Sequence, residues 1–270
     1  MNDALLARIR SLPPLPETVI ELQKVCSNPD ASLADLAKII EKDPMVTANL
    51  IKAANSPFYG FSREIASVTQ AVSLFGMSTV KGIAMSNSVS NALKIDLSPY
   101  GILPHRFAEV SSMQNALLQK WRPSSDKHLM DILITASFLQ ETGKVIISQE
   151  IIRLEKIAEF KEKLQETPIS EVEKSYIEET TASITAAVFE HWRFEDHVIR
   201  AIRASDYPLD ADEDMKFCAA VLDVLRTAVN LVSPMTDDAI QTAKQKAGLY
   251  KLPLAPLENA LAALKENIGG

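Results

Sequence analysis

The chain has 270 residues, a formal net charge of −7 and 47% hydrophobic residues. This length suits one large or two modest domains, and the composition is that of a soluble globular protein. The acidic balance disfavours a general affinity for nucleic acid or anionic lipid. The two cysteines, Cys26 and Cys218, form no disulfide framework or thiolate zinc motif, which suits a cytoplasmic protein. No signal-peptide pattern and no apolar run of membrane-spanning length is present, so we expect no membrane insertion.

Apolar residues recur at helical spacing along nearly the whole chain, and we predict an all-α fold. The proline-rich residues 12–16 lead into the first strongly patterned helix. Ser32 and Asp35 have the spacing of a capping box at the start of the next one. Asp43 and Pro44 are typical of the cap and first position of a further helix.

The next segment contains a loop with two aromatic anchors, residues 55–60. Asn55 is predicted to end the preceding helix in the left-handed conformation. Ser67 and Gln70 predict a second capping box, opening a short helix that stops at Gly76 and is followed by a longer one. Short helices joined by tight turns also suggest a helix-turn-helix, but the candidate recognition helix, residues 44–54, has a single basic residue. Direct nucleic-acid binding is therefore disfavoured.

Residues 95–104 break the helical pattern and mark the best internal boundary. We predict an N-terminal helical subdomain over residues 1–98 and a second helical subdomain over 99–270. The connection is short and apolar, so the two are expected to pack together as one unit. In the second half a strongly apolar helix runs into Gln140 and Glu141, and residues 144–166 are predicted to form one further helix.

Several of these segments resemble the HDOD family, bacterial signal-transduction relatives of the HD-domain phosphohydrolases. The matching segments of the first half are residues 12–16, 36–44, 55–60 and 65–76. Residues 136–144, 186–192 and 201–208 match more loosely, and the resemblance covers roughly residues 10–210. It implies an HDOD-like multi-helix bundle, in which an N-terminal helical subdomain packs on a degenerate HD-like helical bundle.

The resemblance also implies where metal ligands would lie in a catalytic HD domain. An HD hydrolase needs nitrogen and carboxylate ligands that converge on one or two metal ions and activate water. The corresponding positions of this chain hold no imidazole; they are Val110, Gln140 with Glu141, Thr181, and Ser205 with Asp206. Glu141 and Asp206 alone would provide at most a loose Mg²⁺ or Ca²⁺ site.

The four histidines elsewhere do not replace the missing ligands. His191 and His197 are too far apart to share a helix face, and His105 lies at a helix start. His128 and Asp131 have ligand-like spacing, with Asp126 nearby. A surface histidine in the first turn of a helix is the favoured explanation of that spacing.

Two hypotheses follow. In the first, the protein is a non-catalytic regulatory module, without a cofactor or metal, that binds a signalling protein or a small effector. Gln140, Glu141, Thr181 and Asp206 would then line the former metal pocket and contact the effector, or fill that pocket as a satisfied polar core. Asn55 and Ser56 form a second candidate site, although helix stopping and turn formation also explain them. In the alternative, the protein is a metal-dependent phosphohydrolase or phosphodiesterase with atypical ligands.

Overall fold

The computed structural model describes residues 1–26, 28 and 30–269, and every regular element in this part of the chain is a helix, as predicted. The first half contains α1 (Asp3–Arg10), α2 (Glu17–Cys26), α3 (Leu33–Glu41), α4 (Pro44–Ala54) and α5 (Val68–Leu93). The second half contains α6 (His105–Trp121), α7 (Lys127–Leu139), α8 (Thr142–Arg153), α9 (Ile157–Lys163), α10 (Ile169–Ile177), α11 (Thr181–His191), α12 (Asp196–Ala204), α13 (Lys216–Ala228), α14 (Asp237–Leu249) and α15 (Leu254–Gly269). Short 3₁₀ turns at Pro57–Tyr59, Ser98–Tyr100 and Pro208–Asp210 lie between helices.

Side-chain caps begin the helices of the first half largely as the sequence predicts. Ser32 accepts a hydrogen bond from the Asp35 amide at 3.2 Å, and the Asp35 carboxylate accepts one from the Ser32 amide at 3.1 Å. Ser67 likewise caps α5 by accepting from the Gln70 amide at 3.2 Å. The Gln70 side chain, however, accepts from the Ala66 amide and not from Ser67, so the predicted second capping box is only half formed.

The end of α4 differs from the prediction. Asp43 caps the start of α4 with its carboxylate, as expected. Asn55 follows the last residue of α4 with φ −87°, so the predicted left-handed stop at this position is wrong. The left-handed residue of this loop is Gly60, with φ 70°. Asn55 ends the helix through its side chain instead, because its Nδ2 donates back to the Ile51 carbonyl at 3.0 Å.

Helix α5 lies at the centre of the fold and contacts α2, α3, α4, α6, α7 and α8. It is kinked at Gly76, which has φ 74° and ψ 173°, a conformation that favours glycine. The predicted break at Gly76 is therefore confirmed as a kink between two helical stretches. Buried apolar side chains of the described residues form one continuous core around α5, α6, α7, α11 and α13.

The second half contains one helix break and one helix that the sequence pattern did not predict. The single helix expected over residues 144–166 is wrong, because α8 ends at Arg153 and α9 begins at Ile157. Glu155 between them has φ 58°, which reverses the chain direction without a glycine or proline. The short helix α10 brings Glu173 into the interior, where it is 1% exposed.

The N-terminal segment crosses over to the second half of the chain. Trp192 Nε1 donates to the Pro13 carbonyl at 2.9 Å, and His191 Nε2 lies 3.3 Å from the Leu12 carbonyl oxygen. Helix α1 packs against α11, and Arg8 forms an ion pair with Glu150 of α8. In the described part of the chain, no helix has the length and hydropathy needed to cross a bilayer.

Candidate functional site

The corner formed by Gln140 and Glu141 lies where α7 ends and α8 begins, deep inside the second half. Gln140 and Glu141 occupy the turn between these helices and are 0% and 1% exposed. The turn packs tightly on α11, since a Cβ added at Gly143 would lie 2.3 Å from the Thr181 carbonyl oxygen. The Gly143 amide donates to Thr185 Oγ1 at 2.8 Å. Glycine is therefore required here by the close approach of two backbones.

A lysine ammonium occupies the centre of this corner. Lys144 Nζ lies 3.1 Å from Glu141 Oε2 and 3.3 Å from Glu173 Oε1. It also donates a hydrogen bond to Thr181 Oγ1 at 3.0 Å. The Lys144 residue is only 4% exposed, so this cation is held within the protein interior by two carboxylates and a hydroxyl.

Glu173 is bound on both of its carboxylate oxygens. Thr181 Oγ1 donates to Glu173 Oε2 at 2.6 Å, and the Tyr100 hydroxyl donates to Glu173 Oε1 at 2.8 Å. Burial is the main factor that raises the pKa of Tyr100, and the neighbouring Glu173 carboxylate raises it further. The hydroxyl therefore remains a hydrogen-bond donor at neutral pH.

Two glutamines connect the other side of the corner. Gln140 Nε2 donates to Gln114 Oε1 at 2.8 Å, and Gln114 Nε2 donates to Glu141 Oε1 at 3.0 Å. Gln114 Nε2 also donates to the Val229 carbonyl at 2.8 Å. Among the described residues, Gln140 Oε1 lacks a hydrogen-bond partner, and Glu141 Oε2 is contacted through its ion pair with Lys144 rather than a hydrogen bond.

Asp206 is paired with a second, half-buried cation near the same region. Its carboxylate forms an ion pair with Arg226, whose guanidinium also donates to the Ser205 carbonyl at 3.2 Å. Arg226 NH2 lies 3.9 Å from Asp223 Oδ1, and Asp223 is held further by Lys246 at 2.8 Å. We call the hydrogen-bonded and ion-paired side chains of Gln114, Gln140, Glu141, Lys144, Glu173 and Thr181, together with the neighbouring Asp206–Arg226 ion pair, the internal ion network.

Electrostatic interactions in the internal ion network favour the charged forms of Lys144 and Asp206. Burial lowers the pKa of the Lys144 ammonium, but the carboxylates of Glu141 and Glu173 outweigh burial and raise it above its ordinary 10.5. Burial raises the pKa of Asp206, yet the Arg226 guanidinium outweighs burial and holds it below its ordinary 3.8. The network therefore contains paired charges at neutral pH, as buried charges require.

The residues of this corner do not fit a catalytic metal. Val110, at a predicted ligand position, is a fully buried member of the apolar core. Glu141 is bound by Lys144 and Gln114, and Asp206 is bound by Arg226, so the remaining carboxylates already neutralise internal cations. Within residues 1–26, 28 and 30–269, no three His, Cys, Asp or Glu side chains converge as metal ligands do.

The structure therefore places Gln140, Glu141, Thr181 and Asp206 in one network, while Asn55 and Ser56 lie elsewhere. Asn55 Oδ1 accepts from the Ile65 amide at 2.8 Å, and Asn55 Nδ2 donates to the Ile65 carbonyl at 2.8 Å. Ser56 Oγ accepts from the Phe58 amide at 3.4 Å. Both side chains thus stabilise the loop after α4, which borders a cleft between α4, α5 and α6.

The histidines do not assemble a second metal site. The rings of His128 and His197 meet edge to face, with centroids 5.4 Å apart. Asp126 caps α7 by accepting from the His128 amide at 2.8 Å, and Asp131 accepts from Ser78 Oγ at 2.5 Å. The spacing of His128 and Asp131 therefore reflects helix capping and helix packing.

The sequence motifs did not identify Gln114, Arg226 and Glu173 as members of the internal ion network. Gln114 stands on the otherwise apolar face of α6, and Arg226 lies in an apolar stretch of α13. A charged or amide residue inside an apolar run is the signal that could have identified them. Glu173 gave no such signal, because α10 is short and charged.

A search with family models identifies residues 12–208 as an HDOD domain. This match spans most of the chain. The chain belongs to the HDOD domain family. The chain also matches an uncharacterized protein of Treponema pallidum, with 28% identity over 87 residues, and this match covers 32% of the chain and 17% of that protein.

Solved structures of bacterial proteins share the fold across nearly the whole chain. A virulence factor from Campylobacter jejuni has 28% identity and a TM-score of 0.59, with 99% of this chain and 100% of that chain covered. A candidate phosphohydrolase from Shewanella amazonensis has 21% identity and a TM-score of 0.70, with coverages of 99% and 97%. A candidate signal transduction protein from Marinobacter aquaeolei has 20% identity and a TM-score of 0.67, with coverages of 98% and 63%. The chain therefore shares its fold with these proteins.

Proposed function

We propose that this HDOD protein is a non-catalytic signal-transduction module that binds a signalling protein or a small effector. The observation that carries the proposal is the position of Lys144 Nζ, 3.1 Å from Glu141 Oε2 and 3.3 Å from Glu173 Oε1. The Lys144 ammonium is paired with the Glu141 carboxylate, which an HD hydrolase would need to hold a metal ion. The role of this corner is then to stabilise the fold that presents a binding surface elsewhere.

Electrostatic repulsion from Lys144 also disfavours a metal ion at this corner. A divalent ion bound by Glu141 would lie within a few ångströms of the Lys144 ammonium. At a separation of about 4 Å and an effective dielectric constant of about 20, their repulsion is about 8 kcal/mol. Metal binding would therefore require Lys144 to leave a site where it is 4% exposed and has three polar partners.

The similarity to a candidate phosphohydrolase, at 21% identity, supports a common fold and leaves the reaction to be tested. The rival hypothesis, a metal-dependent phosphohydrolase with atypical ligands, makes opposite predictions. We expect purified protein incubated with Mn²⁺ or Fe²⁺ and then desalted to retain far less than one metal ion per chain by mass spectrometry. We also expect no turnover of bis(p-nitrophenyl) phosphate or cyclic dinucleotides above that of Glu141→Ala.

One tightly bound ion per chain, together with turnover that Glu141→Ala abolishes, would overturn the proposal. Glu162→Ala is a matched control, because it removes one negative charge at an exposed position. We further propose a cytoplasmic location, since Cys26 and Cys218 are both free thiols and form no disulfide framework. We retain the division into residues 1–98 and 99–270 as a proposal for subdomains of one HDOD unit.

A further inference from the structure

A cleft separate from the internal ion network lies between α4, α5 and α6. Its volume is about 800 Å³, and it extends along α5 from Ile83 to Lys94. At a rise of about 1.5 Å per residue, this stretch of helix is roughly 16 Å long. Pockets that bind organic ligands commonly measure about 300–1,000 Å³. The α4–α6 cleft is therefore large enough for a molecule of nucleotide size.

The charge of the α4–α6 cleft opposes the charge of the whole chain. Lys52 and Lys94 line it, both exposed, and neither forms an ion pair within the described residues. Glu109 is the only acidic side chain among its described lining residues, and Arg106 NH1 lies 3.2 Å from Glu109 Oε2. The protein has a net charge of −7, so two unpaired ammonium groups at one cleft create a local site for an anion.

Three asparagine amides provide hydrogen-bonding groups in the same cleft. Asn49 projects from α4, while Asn87 and Asn91 lie one turn apart on α5. Among residues that the structure describes, none donates to or accepts from these three side chains, in contrast to Asn55, whose amide is used by Ile65. A primary amide offers a donor and an acceptor side by side, which suits the edge of a nucleobase.

The floor of the cleft is apolar and preformed. Ile83 and Phe138 also line the cleft and are 2% and 1% exposed. Since both are packed into the core, the floor is fixed before any ligand enters. An apolar floor, a few oriented polar groups and two cations are the usual components of a site for a charged organic ligand.

We propose that the α4–α6 cleft binds a nucleotide-sized organic anion that carries phosphate groups. Lys52 and Lys94 would contact the phosphates, and Asn49, Asn87 and Asn91 would contact the polar edge of a planar ring lying over the Ile83 and Phe138 floor. This inference builds on the proposed effector-binding function and places the effector outside the former metal corner.

Calorimetry with three probes separates the parts of this proposal. ADP offers both phosphate charge and a base, pyrophosphate offers charge alone, and adenosine offers the base alone. We expect ADP to bind at one site per chain, and both partial probes to bind at least about tenfold more weakly, because each lacks one set of contacts. Equal affinities for ADP and pyrophosphate would overturn the proposal, as would no ADP binding up to about 1 mM.

Variants then locate the bound probe. Lys52→Gln with Lys94→Gln is expected to weaken ADP binding at least about tenfold, since charge-assisted contacts are lost. Asn87→Ala is expected to weaken ADP binding while leaving pyrophosphate binding unchanged. Lys127→Gln with Lys161→Gln makes the same change in net charge at exposed lysines outside the cleft and should leave ADP binding unchanged. Equal weakening by both double variants would show a general charge effect and contradict the assignment.

This test is independent of the metal and turnover measurements. If ADP fails to bind while the protein remains free of metal and inactive, the cleft assignment is wrong and the non-catalytic function stands. If the protein binds metal and hydrolyses phosphodiesters, the proposed function fails whatever happens at the cleft.

Discussion

Replacing Lys144 with methionine removes the ammonium group at the centre of the internal ion network and keeps a side chain of similar length. Glu141 and Glu173, each 1% exposed, then lose the cation that lies 3.1 Å and 3.3 Å from their carboxylate oxygens. Thr181 loses a hydrogen-bond donor at 3.0 Å. The variant therefore leaves two carboxylates buried near each other with less compensation.

The size of the effect follows from the burial of all three charges. Removing one partner of a buried ion pair costs about 3–5 kcal/mol. Lys144 neutralises two buried carboxylates, so we expect the free energy of unfolding to fall by about 5 kcal/mol. At about 2–4 °C per kcal/mol for a chain of this size, the melting temperature falls by roughly 10–20 °C.

Urea unfolding followed by circular dichroism measures this loss, provided the m-value stays constant. Adding Glu141→Gln and Glu173→Gln to Lys144→Met removes the uncompensated charges, so we expect this triple variant to recover most of the stability. Lys156→Met is the matched control, since its surface pair with Glu159 is solvent-exposed and contributes little. A Lys144→Met protein as stable as the wild type, or a triple variant less stable than Lys144→Met, would refute the reasoning.

Three further predictions concern single side chains. Burial raises the pKa of Asp206, but the Arg226 guanidinium outweighs burial and lowers this pKa below 3.8. The ionised Asp206 carboxylate therefore stabilises the protein above pH 3.8, and this stabilisation is lost as the pH falls through the lowered pKa. Asp206→Asn should therefore be less stable at neutral pH and show a flatter loss of stability on acidification in urea titrations; an unchanged acid limb would contradict this. Gly143→Ala should lower the unfolding free energy by at least about 1–3 kcal/mol, because its Cβ would lie 2.3 Å from the Thr181 carbonyl oxygen, and unchanged thermal stability would contradict it. Asn55→Ala should cost about 1–3 kcal/mol by leaving the Ile65 amide and carbonyl without their partner. Asn55→Asp should lose the two bonds that Nδ2 donates, to the Ile51 and Ile65 carbonyls, but keep the bond that Oδ1 accepts from the Ile65 amide, and equal losses in the two variants would contradict this account.

Local signals were enough to predict most helix boundaries. The capping box of Ser32 and Asp35 and the Asp43 cap act within a few residues, so the sequence alone reveals them. The break between α8 and α9 gave no such signal, because Glu155 adopts φ 58° where neither glycine nor proline is present. That conformation is set by tertiary packing, which no local pattern records.

The candidate site was predictable in part. Gln140 and Glu141 stood out as polar residues at the end of an apolar helix, and the structure places them at the centre of the network. The pairing of Lys144 with Glu173 and of Asp206 with Arg226 could not be predicted, because each pair joins different helices or loops. A sequence can identify a buried charge by its apolar neighbours, but only the fold identifies its partner.

The packing of the N-terminal segment on the second half of the chain delays the docking of this segment during folding. Pro13 and Trp192 are 179 residues apart, yet the Trp192 indole donates to the Pro13 carbonyl. During synthesis, residues 1–16 are made long before α11, on which they pack. Contacts of such long sequence separation form slowly, because the intervening loop must close first. Leu5 and Ile9 of α1 are buried in the folded protein, so we expect α1 to dock only after α11 has been synthesised.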